Sequence, residues 1–303
     1  MSKIVVMDSG FGGLTVLSEL RKLMPDEEYI FYGDSANAPY GEKSHDELLK
    51  LTTDICRDLS SEYDVKCFVI ACNTTSSEVW DELTQRFDKY DFIGIEPALK
   101  WAVEENPGKN ILVLATTATT KGKRLKKRYE EFKGKANITL LAAPGIVPFV
   151  EGDKKDAAAF QQYLKELLKD YIGKTDCVVL GCTHFPFVKD EIRQVLGNKI
   201  KFYDAAVQVA ELVKSVAVGK MPADVLNDGN AAPYMGVPVH IYIDTAKATH
   251  NEQNPRHLQD DPEALKAGAS VGDIIFLNSD PSKVEAEAEL LDEYSSMHKA
   301  DNL

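Results

Sequence analysis

The chain has 303 residues, 44% hydrophobic and 27% charged, which is enough apolar material for a sizeable core and enough length for two domains. Its 48 acidic against 35 basic residues leave a net charge of −13, which excludes the basic footprint of a non-specific nucleic-acid binder and obliges any anion site to supply local donors. Five cysteines fit reduced intracellular thiols rather than a disulfide framework, no apolar run reaches the roughly eighteen residues of a membrane span, and no signal peptide precedes the first strand, so the expected location is the cytoplasm, with no membrane partner.

Lys3 to Met7 reads as a short buried strand that enters the loop Asp8-Ser-Gly-Phe-Gly-Gly13. Leu17, Leu20, Leu23 and Met24 then lie on one face of a helix that stops at Pro25. Tyr29 to Tyr32 is the next strand, and residues 33–41 form a loop rich in turn formers. Ser44 and Glu47 have capping-box spacing and open a helix carrying Leu48, Leu51, Ile55 and Leu59. Behind the following strand, Thr75 and Glu78 are candidates to cap another helix.

The alternation continues with strands at Asp91–Ile95, Ile111–Ala115 and Ile138–Ala142. The basic run Lys121–Arg128 is expected on a solvated helix face. A loop containing Pro144 and Pro148 leads to Glu151, a helix spans about Phe160 to Tyr171, and Pro186 suits the first turn of a helix whose apolar face carries Val188, Ile192, Val195 and Leu196. Strands alternating with helices predict an α/β fold of doubly wound parallel sheets. Beyond these, Val237–Asp244 and Asp273–Leu277 have strand character, while the polar 250–263 connection and the acidic tail carry little pattern.

Two segments nearly repeat: Cys67-Phe-Val-Ile-Ala-Cys72-Asn-Thr74 and Cys177-Val-Val-Leu-Gly-Cys182-Thr-His184. As buried parallel strands they put Cys72 and Cys182 at carboxyl ends, where open α/β sheets build their sites. The two lie 110 residues apart, about one α/β domain, so two similar domains facing a cleft would explain the repeat. With crossings near Pro97 and Asp204–Ala206, the domains are expected to comprise residues 1–96 with 206–303, and 97–205. Cys56, in a helical pattern, and Cys67 and Cys177, at strand starts, read as small core residues.

Several chemistries compete for the two strand-end thiols. There is no C-x-x-C, and a Cys-x-His contact without further ligands is poor zinc evidence, so no metal is expected. A disulfide between Cys72 and Cys182 would leave no room for substrate. A single nucleophilic cysteine aided by His184 leaves its twin unexplained. Two-base proton transfer uses both: one group removes a proton from one face of a carbon, and the other delivers a proton to the opposite face. A thiol with its ordinary pKa of about 8.5 needs an assisting group near neutral pH. Asp8 is the candidate beside Cys72, and Glu151 and His184 beside Cys182. Ser9, Asn73, Thr74, Thr75, Thr117, Thr119, Thr120 and Thr183 cluster at strand ends and offer donors to carboxylates, or simply cap helices. The loop Gly10–Gly13 is neither G-x-G-x-x-G nor a P-loop, which disfavours nucleotide binding, and no lysine stands out as a pyridoxal site.

The ordered set Asp8-Ser-Gly-Phe-Gly-Gly-Leu14, Gly33-Asp34, Pro39-Tyr-Gly41, Ala71-Cys-Asn-Thr74, Ala115–Thr120, Pro144-Gly-Ile-Val-Pro148 with Glu151, and Gly181-Cys-Thr-His-Phe-Pro186 resembles the cofactor-independent glutamate racemases of the aspartate/glutamate racemase superfamily. The likeness covers about residues 1–215. It implies two α/β domains related by pseudo-twofold symmetry, with D- or L-glutamate between them, a homodimer, and a bacterial cytoplasmic role in supplying D-glutamate for peptidoglycan. Carried across, Cys72 would act on D-glutamate and Cys182 on L-glutamate, with Asp8, Glu151 and His184 assisting. Ser9, Pro39, Tyr40, Gly41, Asn73, Thr74, Thr119 and Thr183 would hold the substrate. Another racemase or isomerase of the superfamily, or a non-catalytic amino-acid-binding regulator, are the alternatives. Asn37 stands where the family usually has arginine, and the chain after about residue 245 does not match the family's usual ending.

Overall fold

Ile4, Val5, Val6 and Met7 are all completely buried, and they alternate between two apolar faces of one strand. Ile4 and Val6 pack with Leu17 and Leu20 of helix Leu14–Leu23 and with Val209 and Val213 of helix Ala206–Ala217. Val5 and Met7 pack with Ile55 and Leu59 of helix His45–Glu62. A strand apolar on both sides is stable only with helices on both faces, which is why this run is interior to a parallel sheet.

The computed structural model describes residues 2–152, 156–217, 241–243 and 274–297. Its strands are β1 (Lys3–Asp8), β2 (Tyr29–Gly33), β3 (Val65–Ile70), β4 (Asp91–Gly94), β5 (Asn110–Ala115), β6 (Asn137–Ala142), β7 (Cys177–Gly181), β8 (Lys201–Tyr203), β9 (Ile241–Ile243) and β10 (Ile274–Asn278). They form two all-parallel sheets, ordered β4-β3-β1-β2-β10-β9 and β6-β5-β7-β8. No described helix is long and apolar enough to cross a membrane.

The sheets repeat one winding, β4-β3-β1-β2 in the first and β8-β7-β5-β6 in the second. The register repeats as well, because Ile4 faces Cys67 as Ile111 faces Cys177. Cys72 and Cys182 therefore follow equivalent strands at equivalent places, each beside the point where strand order reverses. The same equivalence pairs Ser9 with Thr116, Asn73 with Thr183, and Thr74 with His184. Asp8 pairs with Ala115, so the carboxylate at this position belongs to one half alone.

Several local expectations change in the fold. Ser44 and Glu47 do make a reciprocal capping box. Thr75 and Glu78 lie inside helix Asn73–Glu78, which starts directly behind Cys72, so neither caps it. The expected loop at Pro148 is helix Ile146–Glu151; proline at its third position is tolerated because a first-turn residue needs no amide hydrogen. Strand β8 and helix Ala206–Ala217 were not anticipated. In the basic run, Lys121, Lys123, Lys126 and Lys127 are exposed, but Arg124 and Arg128 are half-buried against Glu96, 3.0 and 2.9 Å away.

Of the expected strand 237–244, β9 covers 241–243, and the rest lies outside the described residues. Of the expected strand 273–277, β10 covers 274–277 and runs on to Asn278, Asp273 lying outside the described residues, and it pairs with β2. The C-terminal helix Val284–Met297 buries Val284 and Leu291 in the same core as helix Leu14–Leu23.

Candidate active site

The carboxyl ends of β1, β3, β5 and β7 and the loop after β2 enclose a cleft of about 430 Å³, its open mouth included. Cys72 and Cys182 both line it, both as free thiols. Ser9, Pro39, Tyr40, Gly41, Asn73, Thr74 and Thr183 line it too. So do Thr117, one of the strand-end hydroxyls named above, and Glu42, Thr116, Pro144 and Val147, of which all but Glu42 fall inside the motifs quoted above. Thr119 stands one layer back, joined through its side chain to Thr116 Oγ1 at 3.0 Å. No lysine or arginine is among the described residues of the lining, so the polar contacts available to an anion there are hydroxyls and amides.

Hydrogen bonds cross between the two sheets on both flanks. Thr183 Oγ1 donates to Asp8 Oδ2 (3.1 Å), and the hydroxyls of Thr74 and Thr116 share a hydrogen at 3.1 Å. Asp8 Oδ2 also accepts from the Gly13 amide at 2.7 Å, while Oδ1 is buried with no protein partner. Burial raises the Asp8 pKa, opposed by the charge of His184 and by hydrogen bonds from Ser9 and Thr183. The Cys72 thiol donates to Ser9 Oγ at 3.7 Å. Burial pushes its pKa up to about 12, Asp8 adds to the shift, and the amide and hydroxyl of Thr75 oppose it.

The other thiol has a different escort. Cys182 Sγ lies 3.8 Å from His184 Nδ1, and His184 Nε2 meets Glu151 Oε1 at 2.6 Å. Burial alone would drive His184 toward neutrality, but its hydrogen bonds with Cys182 and Glu151 and the Glu151 charge prevail and hold its pKa well above the usual imidazole value. Glu151 Oε1 also accepts from the Phe11 amide at 2.9 Å, and Oε2 accepts from Ser35 Oγ at 3.1 Å. The glycine loop after β1 is thus a fitting surface for this second half. A Cβ on Gly10 would sit 1.8 Å from Glu151 Oε1, and one on Gly12 would sit 2.3 Å from His184 Nδ1 and 2.6 Å from Thr183 Oγ1. Gly12→Ala is expected to cost about 1–3 kcal/mol of stability by overpacking, read from the urea midpoint. An unchanged midpoint would mean that the loop can retreat.

Within the lining, Tyr40 is almost wholly buried and its hydroxyl donates to Asp34 Oδ2 behind it. Burial and the Asp34 charge raise its pKa well above the usual phenol value, so it stays protonated. Asn37 Nδ2 donates to Asp34 Oδ1 at 2.9 Å, which gives this asparagine a bracing contact where the resemblance expects arginine. Asp8, Glu151 and His184 are absent from the lining and touch it through Cys182, Thr183 and the loop after β1.

Residues 11–213 match the family described as Asp/Glu/Hydantoin racemase. The chain is 41% identical over 202 residues to a glutamate racemase of Clostridium novyi, covering 66% of this chain and 77% of that one. It is 43% identical over 194 residues to a glutamate racemase of Clostridium acetobutylicum, covering 63% and 75%. The crystal structure of Escherichia coli glutamate racemase in complex with L-glutamate and an activator superposes with a TM-score of 0.68 at 26% identity, covering 91% of this chain and 98% of that one.

Proposed function

The chain belongs to the Asp/Glu/Hydantoin racemase family, and from that premise we propose that it interconverts L- and D-glutamate with two opposed thiols and no cofactor. One observation carries the reading: two free cysteines occupy equivalent strand ends of two like-wound sheets and line one cleft. Equivalent positions on facing halves present two bases to opposite faces of one carbon.

In the D-to-L direction the Cys72 thiolate takes the α-proton, and the C–H electron pair stays on Cα, delocalised toward the adjacent carboxylate. The Cys182 thiol delivers its proton to the other face, leaving Cys182 as thiolate and Cys72 as thiol. The L-to-D direction is the reverse, so each turnover prepares the enzyme for the opposite substrate. Asp8, with Oδ1 unpartnered, is the group that receives or returns the Cys72 proton. His184, held cationic against Glu151, stabilises negative charge on the Cys182 sulfur and can return a proton through Nδ1. In the ligand-free site Cys72 rests as a thiol, and the substrate ammonium supplies positive charge that favours its ionisation.

Ser9, Pro39, Tyr40, Gly41, Asn73, Thr74 and Thr183 hold the substrate, and Thr119 acts through Thr116. Asn73 Nδ2 is buried without a protein acceptor, which suits it to a substrate carboxylate. The same reading extends to a cytoplasmic homodimer that supplies D-glutamate for peptidoglycan. It also divides the chain into residues 1–96 with 206–303 and 97–205, in keeping with the strands of the two sheets.

The test starts from L- and D-glutamate separately, in deuterated water, with aspartate as a comparator and no added cofactor. Racemization is expected from both enantiomers, with deuterium at Cα of the product. Turnover of aspartate alone would move the chain to another substrate of the family, and racemization without solvent deuterium would remove the thiol mechanism.

A further inference from the structure

The hydrogen bonds around Glu151 continue out of the site into the C-terminal segment that the motifs left unplaced. Ser35 Oγ, which donates to Glu151 Oε2, itself accepts from Asn278 Nδ2 at 3.0 Å. Because the amide fills an acceptor position on Ser35, the hydroxyl hydrogen is committed to Glu151. Asn278, fully buried at the end of β10, cannot turn over: its Oδ1 accepts from the Asp280 amide at 2.7 Å, and its Nδ2 donates also to Glu287 Oε1. Glu287 is 1% exposed on helix Val284–Met297, a fully buried acid within electrostatic reach of Glu151 and Asp8.

This arrangement has a shaped seat. A Cβ on Gly33 would fall 2.4 Å from Glu287 Oε1 and 2.9 Å from Asn278 Nδ2, so the end of β2 leaves room for both. Burial raises the Glu287 pKa well above the ordinary carboxylate range, opposed by the hydrogen bond from Asn278, so burial disfavours a second charge near Glu151. From the same segment Lys283 Nζ donates to the Glu151 carbonyl oxygen at 3.0 Å.

We propose that Asn278, oriented by Glu287, is a positioning residue for the Glu151–His184–Cys182 side of the site, acting through the Ser35 hydroxyl. The inference rests on reading Cys182 as a reacting thiol. The chain of donors runs in one direction, from Asn278 to Ser35 to Glu151. It fixes the carboxylate that anchors His184, and with it the imidazole nitrogen that meets the sulfur. Asp8 takes its hydrogen bonds from Ser9, Gly13 and Thr183 and feels the segment only indirectly, through the charge of His184, so the Cys72 side should respond far less than the Cys182 side.

The test uses the full chain with Ser35→Ala, Ser35→Thr and Asn278→Asp. Timed iodoacetamide labelling of each cysteine is read by peptide mass spectrometry, alongside glutamate racemization. Ser35→Ala, at a half-buried position that opens the short 3₁₀ turn Ser35–Asn37 and should fold normally, removes the link. Asn278→Asp turns its donor into an acceptor and draws the Ser35 hydrogen away from Glu151. Both are expected to slow labelling of Cys182 and lower kcat about fivefold or more, the effect of one hydrogen bond, with Cys72 labelling and KM within about twofold of the parent. Ser35→Thr keeps the hydroxyl and should restore the parental rates. Equal slowing at both cysteines, or no change at Cys182, overturns the proposal. A parent that labels as expected yet does not racemize glutamate counts against the proposed function alone.

Discussion

Replacing Cys72 by alanine is expected to stop racemization while leaving the protein able to exchange the α-hydrogen of L-glutamate with deuterated water, and Cys182→Ala is expected to show the mirror pattern with D-glutamate. Each thiol faces the cleft from its own sheet, so removing one leaves a base on the opposite side of the carbon with nothing to complete inversion. Loss of one acid/base group should lower turnover by at least about 10²–10⁴-fold. Both cysteines are small and buried, and alanine leaves a space of about one sulfur atom, so unfolding midpoints should move far less than activity.

The readout must be chosen with care, because the two enantiomers have equal free energy. Their kcat/KM values must therefore remain equal in every variant, however lopsided the site. Asymmetry between the halves can show only in one-sided exchange, or in kcat and KM taken separately. Exchange of both enantiomers by either single-cysteine variant would mean that one base serves both faces. Racemization by Cys72→Ala at the parental rate would remove the two-base assignment altogether.

Asp8→Asn should separate activity from stability. The Asp8 carboxyl is fully buried, its pKa is raised chiefly by that burial, and Oδ1 has no protein partner. A raised pKa means that the fold prefers the protonated form. The stability this group contributes is complete below the unfolded-chain pKa of about 3.9 and is lost as pH climbs through the raised folded value. Asparagine keeps a carbonyl oxygen for Gly13 and Thr183 but carries no charge. The variant should therefore be at least as stable as the parent near neutral pH, with the margin narrowing as pH falls toward the acid limit. Its racemization should drop about 10²–10⁴-fold, because an amide cannot exchange a proton with Cys72. Denaturant midpoints from pH 5 to 8, with rates on the same samples, decide it. A loss of stability as large as the loss of activity would reduce Asp8 to a brace for the loop after β1.

Much of this architecture is legible in the chain because parallel strands are buried on both faces and so appear as uninterrupted apolar runs. The runs ending at Met7, Ile70, Ala115 and Gly181 stand out for that reason, and the cysteine repeat marks which ends are equivalent. Short elements are less legible. Lys201–Tyr203 is three residues long and partly exposed, and Pro148 disguises a six-residue helix as a loop. The basic run reads as a solvated face because sequence does not reveal that Glu96 waits beside Arg124 and Arg128.

The sequence by itself determined the class of fold, the two strand-end cysteines, and the order of motifs that marks the family. These are local or periodic signals, carried by neighbours along the chain. Only the tertiary structure decided how unequal the escorts of the two thiols are. Thr74 and His184 occupy equivalent places, yet one meets the Thr116 hydroxyl and the other the Glu151 carboxylate. It also decided that Asn278 and Glu287, more than 120 residues beyond Glu151, stand behind that carboxylate. The physical reason is that β10 joins the sheet beside β2, so contacts made by strand pairing bring together residues that no spacing along the chain relates.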